Sequence, residues 1–436
     1  MKLQIQDIRV QEALGTISRA VAMEGGRALL VGGCVRDTIL GIIPKDYDVE
    51  VYGVQPSRIV EILSEQFSVS LVGEAFGVIK IHGLPIDVAI PRREFKVGRG
   101  YRGFEVQSDP YMAPEEAALR RDFTMNAMAF DPITQEIIDP YGGIQDLNNR
   151  ILRHTSSKFG EDPLRVLRGQ QLVARFNLNP TPETVELAKG LFHEYETLAT
   201  ERIWTEWFKW AAQSTKPSRG LHWLQETQWI QAYPELVALK GCPQDPRWHP
   251  EGDVWTHTLH VVDEAARIGE RDQLALVDRA TLVLAGLCHD LGKPTTTEVT
   301  ETGVHSRGHA QTNEIYEHFL QCIGAPLKYM ERVTGLCLKH LTHLDFVGSA
   351  RHVRRLALSL SAAGETIDML CRLVEADSSG RPPLPKQLPD NMHQIQLLSQ
   401  ELTVSKAGPQ PLLLGRHLLD SGMQPGPQVG AILKAA

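Results

Sequence analysis

At 436 residues the chain is long enough for two or three domains. With 42% apolar and 22% charged residues it has the composition of a soluble globular protein, which excludes a disordered or membrane-embedded chain. A net charge of −8 excludes a wholly basic surface but leaves room for a local basic stripe of the kind that meets nucleic acid.

The first residues, MKLQIQDIRVQEAL, lack the apolar core of a signal peptide, and no apolar run approaches the roughly 18 residues of a membrane span. Residues 1–150 mix strands and helices. ALLVGG, DYDVEVYG, GVIKIHG and LPIDVAI read as short strands, from their branched residues and turn punctuation. From about residue 155 the spacing becomes helical, as in PLRVLRGQQLVARF and RIWTEWFKWAAQ, and strand signals nearly vanish. Two breaks interrupt the helices. GCPQDPRWHPEGD at 241–253 is rich in Pro, Gly and Asp, and SSGRPPLPKQLPD at 378–390 is rich in proline. The expected architecture is α+β. A mixed-sheet head at 1–150 leads into a helical neck and body at 151–240. A further helical domain at 241–380 and a linker and tail at 381–436 follow. No two of the six cysteines stand at C-x-x-C spacing, so reduced thiols in a cytoplasm are expected rather than a zinc knuckle or redox pair.

Side chains alternate across a strand, so Asp46, Asp48 and Glu50 share one face, and Tyr47, Val49 and Val51 share the other. A half-buried strand with a polar outer face has the same pattern. Two neighbours favour chemistry. Asp87, at the start of IDVAIPR, offers a third carboxylate, and such a group suits Mg²⁺, which prefers carboxylate oxygen. A pair of such ions clamps the attacking and leaving oxygens of a phosphoryl transfer. Gly32 and Gly33 lie between a strand and a helix, where backbone amides suit a triphosphate, with Arg36 one turn on. Simple packing explains a lone glycine pair equally well. After Asp87 comes PRREFKVGRGYRGFEV, in which Arg92, Arg93, Lys96, Arg99 and Arg102 alternate with glycines and aromatics. This is either a solvated loop or a mobile basic loop that handles triphosphate or RNA backbone.

LVGGCVRDTILG…KDYDVEVYG resembles the N-terminal signature of class II tRNA nucleotidyltransferases and bacterial poly(A) polymerases, within the polymerase-β-like superfamily. RRDFTMNAMAFD, IIDPYGGIQDLNNRILRH, EDPLRVLRGQQLVARF and TERIWTEWFKW follow in that family's order. The resemblance implies Mg²⁺ on Asp46 and Asp48, with Asp87 as third carboxylate. It places Arg120, Arg121, Asp122 and Asn126 around the nucleotide's sugar and phosphates. It makes Asp162 and Arg165 of the E-D-x-x-R motif the readers of the incoming base, with Arg168 one turn on. The chemistry suits cytosine and adenine: a carboxylate accepts from their exocyclic amine and a guanidinium donates to a ring acceptor, whereas uracil and guanine present the opposite pattern. The plainer reading of Asp162, just ahead of Pro163, is a helix cap. Trp204, Trp207 and Trp210 stand at helical spacing and read as core rather than as base-stacking platforms.

In the helical half, His257, the adjacent His289 and Asp290, and Asp377 are the ligands sought in an HD-domain phosphohydrolase. Imidazole and carboxylate together suit a divalent transition metal. His305, His309, His340 and Lys293 rank below them, since sixteen histidines make incidental ones inevitable. The combination resembles bacterial tRNA nucleotidyltransferases with an HD domain. It implies a cytoplasmic enzyme acting on tRNA with CTP and ATP, with phosphatase, 2′-nucleotidase and 2′,3′-cyclic phosphodiesterase activities in the HD part and no membrane partner. A specialised A-adding or CC-adding enzyme, a poly(A) polymerase, and a hydrolase with an inactive head are the alternatives. Residues 412–434 resemble that family's C-terminal segment, which commonly runs further.

Overall fold

The computed structural model describes residues 5–72, 77–96, 104–409 and 415–435. The chain forms two compact units, Met1–Pro234 and Glu235–Ala436.

In the first unit, Asp7 caps α1 (Ile8–Met23) by accepting from the Arg9 and Val10 amides, and Val10, Leu14, Ile17 and Val21 form its buried stripe. The head sheet is built from β1 (Arg27–Val31), β2 (Tyr47–Tyr52), β3 (Val69–Val72), β4 (Val78–Ile81), β5 (Ile86–Ala89), β8 (Ala129–Phe130) and β9 (Ile137–Ile138), in the order β3-β4-β5-β2-β1-β8-β9. Only β2 and β5 run parallel; the other neighbours are antiparallel. The alternation read from the sequence holds in β2, where Tyr47, Val49 and Val51 are buried while Asp48 reaches solvent. Helices α2 (Gly33–Ile39), α3 (Pro56–Gln66), α4 (Pro114–Ala118) and α5 (Gly143–Asn148) complete the head. The segment expected as a basic loop is bounded by a hairpin, β6 (Arg92–Lys96) against β7 (Phe104–Ser108). Arg99 and Arg102, and the side chain of Lys96, lie outside the described residues.

The helical part of this unit comprises α6 (Leu164–Phe176), α7 (Pro182–Gly190), α8 (Thr200–Gln213) and α9 (Pro217–Glu226), with a short parallel pair, β10 (Ile151–Leu152) and β11 (Asn179–Pro180), beside them. Trp207, Trp210, Trp223 and Trp229 are buried in its core, and each indole N–H has an acceptor: Tyr233 Oη, Pro217 O, Val166 O and Ala188 O, at 2.8 to 3.0 Å. Two tryptophans of α8 are therefore core, with their polar edges satisfied. Trp204 is half-buried.

The second unit is helical: α10 (Pro234–Ala238) at the junction, then α11 (Val254–Arg271), α12 (Leu276–Cys288), α13 (Lys293–Thr296), α14 (Asn313–Cys322), α15 (Leu327–Cys337), α16 (Ala350–Ala362), α17 (Ile367–Ser379), α18 (Asp390–Glu401), α19 (Gly415–Asp420) and α20 (Pro427–Ala435). Every residue of α12 from Ala280 to Cys288 is buried, which makes it the central helix against α11, α15 and α17. Asp253 caps α11 through the Thr256 amide at 2.9 Å. One departure from the sequence reading is a hairpin, β12 (Thr297–Thr300) against β13 (Gly303–Ser306). Its strands are largely solvent-facing, so TEVTETGVHS shows no apolar alternation, and Gly303 turns the chain at φ 135°. Among the described residues no helix is long and apolar enough to cross a membrane.

Candidate functional site

The paired aspartates stand where three strands meet. Asp48 pairs in register with Val31 on β1 and with Asp87 on β5. The first pairing brings the turn after β1 beside the carboxylate. Gly32 has φ 77°, and a Cβ built there lies 2.6 Å from Arg121 Nη1 and 4.0 Å from Asp48 Oδ2. Glycine is thus required by backbone conformation and by close approach together. The Gly32 amide, however, donates to Met128 O at 3.3 Å and so is already engaged. Glu50, on the same face as Asp48, accepts from Arg121 Nη2 at 2.7 Å and from Tyr52 Oη at 2.6 Å. It anchors the arginine that faces the glycine turn. Asp48 is open to solvent at its tip but ringed by protein. That surround raises its pKa above the usual carboxylate range; Arg121 opposes the rise, while Asp87, Glu50 and Asp46 add to it. A cluster of carboxylates that resists full ionisation fits a site awaiting divalent cations. Asp87 shares the face but holds Lys80 Nζ at 2.9 Å, and it does not line the cleft described next.

Asp46 and Asp48 open onto a cleft of about 1010 Å³. Gly32, Gly33, Arg36, Arg120, Arg121, Asp122, Asn126, Asp162, Arg165 and Arg168 also line it, as does Arg92 of the basic segment. Arg93 instead pairs with Asp109 at 2.8 Å and Glu116 at 2.5 Å. Buried Asp122 accepts from the Phe123 amide (2.8 Å), Asn126 Nδ2 (2.9 Å) and Arg168 Nε (2.6 Å). Burial works to raise its pKa, but Arg168, Asn126 and Arg165 outweigh it and hold the carboxyl at about 2. Arg36 is buried rather than extended toward a ligand. It donates to Asn126 Oδ1 (2.5 Å) and Asp37 Oδ1 (2.8 Å) and lies over the Phe176 ring. Its place is therefore to hold Asn126.

Asp162 does not share a helix with Arg165, because α6 begins only at Leu164. Its Oδ1 accepts from the Leu164 amide at 3.1 Å and its Oδ2 from Arg202 Nη2 at 2.7 Å. The capping role and a place in the cleft thus coexist. Arg165 donates to Lys158 O and Arg120 O, at 2.6 and 2.5 Å, which engages two of the roughly five donors of a guanidinium. Sequence reasoning missed Lys45, Gln171, Arg175, Arg202, Lys209 and Gln213, which line the same cleft. The signal was present: Arg168, Gln171 and Arg175 on α6, and Arg202, Lys209 and Gln213 on α8, recur at helical spacing as polar stripes.

In the second unit a buried row of imidazoles runs His257, His289, His340, His309, with successive ring centroids 5.3 to 5.4 Å apart. His257 Nε2 lies 3.1 Å from Asp377 Oδ1. His289 Nε2 lies 3.2 Å from Asp290 Oδ2 but has no hydrogen-bond partner among the described residues. His309 and His340, ranked low from sequence, converge on the same place, and His309 Nε2 is 3.2 Å from Asp290 Oδ1. His305 instead meets Thr302 Oγ1. Lys293 Nζ sits on Asp290 Oδ2 at 2.7 Å. Burial alone would raise both carboxyls, but the imidazoles around Asp377, and His289 and Lys293 beside Asp290, hold both well below the usual range. Burial pushes His257 down, but Asp377 and Glu251 more than reverse this and lift it to about 9. Ionised carboxylates among imidazoles, one with an unpartnered buried nitrogen, fit a divalent transition metal.

A family profile described as "Poly A polymerase head domain" matches residues 28–153, and one described as "HD domain" matches residues 254–361. The chain is a nucleotidyltransferase of two-part build, its head followed by a metal-type helical domain. The "Multifunctional CCA protein" of Xylella fastidiosa (strain 9a5c) is 38% identical over 324 residues, covering 72% of this chain and 74% of that protein. That of Xanthomonas campestris pv. campestris (strain B100) is 34% identical over 419 residues, covering 93% and 96%. The chain belongs to the multifunctional CCA protein family. Its fold is also that of the Bacillus stearothermophilus CCA-adding enzyme solved in complex with CTP, with a TM-score of 0.63 at 22% identity over 99% of this chain and 92% of that one. The Thermotoga maritima CCA-adding enzyme complexed with tRNA gives a TM-score of 0.55 at 17% identity, over 99% and 92%.

Proposed function

We propose that this enzyme restores the 3′-terminal CCA of tRNA from CTP and ATP without a nucleic-acid template, working in the cytoplasm. The observation that carries the reading is that the Asp46–Asp48 pair and the Asp162–Arg165 pair line a single cleft with a cradle of arginines between them. The RNA's terminal 3′-hydroxyl attacks the α-phosphate, loses its proton, and pyrophosphate leaves. Asp46 and Asp48 hold Mg²⁺, with Asp87 able to join once Lys80 releases it; the ions neutralise charge on the attacking and leaving oxygens. Arg121, held by Glu50 beside the glycine turn, faces the phosphates, and Asp122 with Arg168 and Asn126 fixes the sugar side of the cleft. Asp162 accepts from the exocyclic amine of C or A, and the remaining donors of Arg165 face the ring acceptor. These groups position and stabilise charge, with no covalent intermediate.

The helical unit is read as a metal-dependent phosphohydrolase. His257, His289, Asp290 and Asp377 hold a divalent transition metal, which supplies an activated water for attack on a terminal phosphate ester.

The decisive experiment offers labelled CTP and ATP to tRNA lacking CCA, lacking only A, or intact. Ordered addition that stops at CCA supports the reading. Addition of A alone, or of CC alone, assigns a specialised enzyme, and unlimited ATP incorporation on unrelated RNA assigns a poly(A) polymerase. Asp46→Ala and Asp48→Ala should abolish incorporation in folded protein; activity in both would refute the head assignment. Phosphoester hydrolysis with no incorporation by the wild type would leave a hydrolase with an inactive head.

A further inference from the structure

The phosphohydrolase reading requires four ligands, yet the structure gathers six. His257 Nε2, His289 Nε2 and Asp377 Oδ1 form one group with ligand atoms within 4.8 Å of one another, and Asp290, His309 and His340 form a second group of the same kind. The two groups meet at Asp290, whose Oδ2 faces His289 at 3.2 Å and whose Oδ1 faces His309 at 3.2 Å. Each carboxylate oxygen therefore addresses a different trio.

The imidazoles are also locked in orientation. His289 Nδ1 meets Gly286 O at 2.8 Å, His309 Nδ1 meets Ser306 O at 2.6 Å, and His340 Nδ1 meets Cys337 O at 2.6 Å. A carbonyl only accepts, so each Nδ1 carries the proton and each neutral ring turns a bare Nε2 lone pair inward. In the second group this sets His309 Nε2 and His340 Nε2 against each other at 3.3 Å, beside a carboxylate oxygen. Two lone pairs and an anion at that separation repel unless a positive charge lies among them. All three residues are buried, His340 to within 1% of full enclosure, so water does not relieve the contact. Lys293 lies on the opposite oxygen, Oδ2, and does not fill the gap.

We propose that the helical unit holds a pair of divalent transition-metal ions, one on His257, His289 and Asp377 and the other on Asp290, His309 and His340, with the Asp290 carboxylate between them. The proposal rests on the phosphohydrolase reading only in locating the first ion. A paired site presents one cation to the attacking oxygen and one to the leaving oxygen of a phosphate ester.

The test uses the full chain carrying Asp46→Ala and Asp48→Ala to silence the head, stripped of metal and dialysed against Mn²⁺ or Ni²⁺. Elemental analysis should return about two ions per chain, and Mn²⁺ should give the EPR signal of a coupled pair rather than of isolated ions. His309→Gln and His340→Gln, checked for folding by circular dichroism, should each reduce binding to about one ion and abolish the coupling. A single ion in the unsubstituted ligand set, with an uncoupled signal, would overturn the proposal whether or not the variants fold, because a proton shared by His309 and His340 would then relieve their repulsion. Hydrolysis of 2′,3′-cyclic AMP, measured on the same samples, separates the two ideas. Two ions without hydrolysis removes the phosphohydrolase reading and leaves the pair; hydrolysis with one ion does the reverse.

Discussion

Replacing Gly32 by alanine should damage the head far more than the same change at Gly33, although the two are adjacent. Gly32 has φ 77° and ψ −138°, a region that only glycine occupies readily. The added methyl would lie 2.6 Å from Arg121 Nη1, so the guanidinium must retreat by most of an ångström and strain its bonds to Glu50. Backbone strain of about 1–3 kcal/mol corresponds to a fall of roughly 2–12 °C in melting temperature for a unit of this size. If as little as about 1.4 kcal/mol of the Arg121 displacement is felt by the triphosphate in the transition state, kcat/KM falls about tenfold. Gly33 is the first residue of α2, and its added Cβ would meet only Arg36 Nη2 at 3.4 Å, an ordinary contact. Alanine there should stabilise the fold by about 0.4–1 kcal/mol through the unfolded chain. The assays are thermal melting and single-nucleotide incorporation with labelled CTP, on both variants in parallel. The reasoning fails if Gly32→Ala melts and turns over like wild type, or if Gly33→Ala loses as much stability as its neighbour.

Three further outcomes are expected. Asp162→Ala should lose discrimination against UTP by about 10- to 100-fold, the equivalent of about 1–3 kcal/mol for one buried hydrogen-bonding group; competition assays with mixed nucleotides read this, and wild-type selectivity would remove Asp162 from the reading site. Asp122 should confer a stability that acid removes. Its folded pKa of about 2 lies below the ordinary 3.8, so the contribution is complete above about pH 4 and disappears as pH falls toward 2. Urea unfolding of Asp122→Asn should show a deficit of about 2 kcal/mol at pH 6 that closes across that window; a gap that does not change with pH would contradict the assignment. His289→Ala should abolish phosphoester hydrolysis while CCA addition continues, since the two sites lie in separate compact units; loss of both would show that the units do not act independently.

Much of the head was legible because its signals are local. The alternation in DYDVEVYG and the turn at Gly32 are properties of a few consecutive residues, and both strands formed where the pattern placed them. What was not legible depends on distant partners. Nothing near Glu50 shows that its carboxylate belongs to Arg121, which is separated from it by 71 positions. Arg36 reads as a phosphate ligand by its place after a glycine turn, but its actual partner, Asn126, is 90 positions away. His309 and His340 were visible only as two histidines among many. Their significance comes from packing that brings the end of α15 and the turn after β13 against α12. The β12–β13 hairpin escaped notice because a strand exposed on both faces leaves no periodic apolar trace.

The contact between Asp162 and Arg202 has a further consequence for selectivity. The carboxylate that would meet the base already has an internal occupant, a guanidinium at 2.7 Å, and charge-assisted bonds of this kind contribute about 1.5–3 kcal/mol. A base bearing an amine can displace that occupant or share the oxygen with it. One bearing a carbonyl has nothing to offer, and the latch stays shut against it. Selectivity would then arise from competition with a resident arginine, so the enzyme would refuse the wrong base simply by keeping the partner it has.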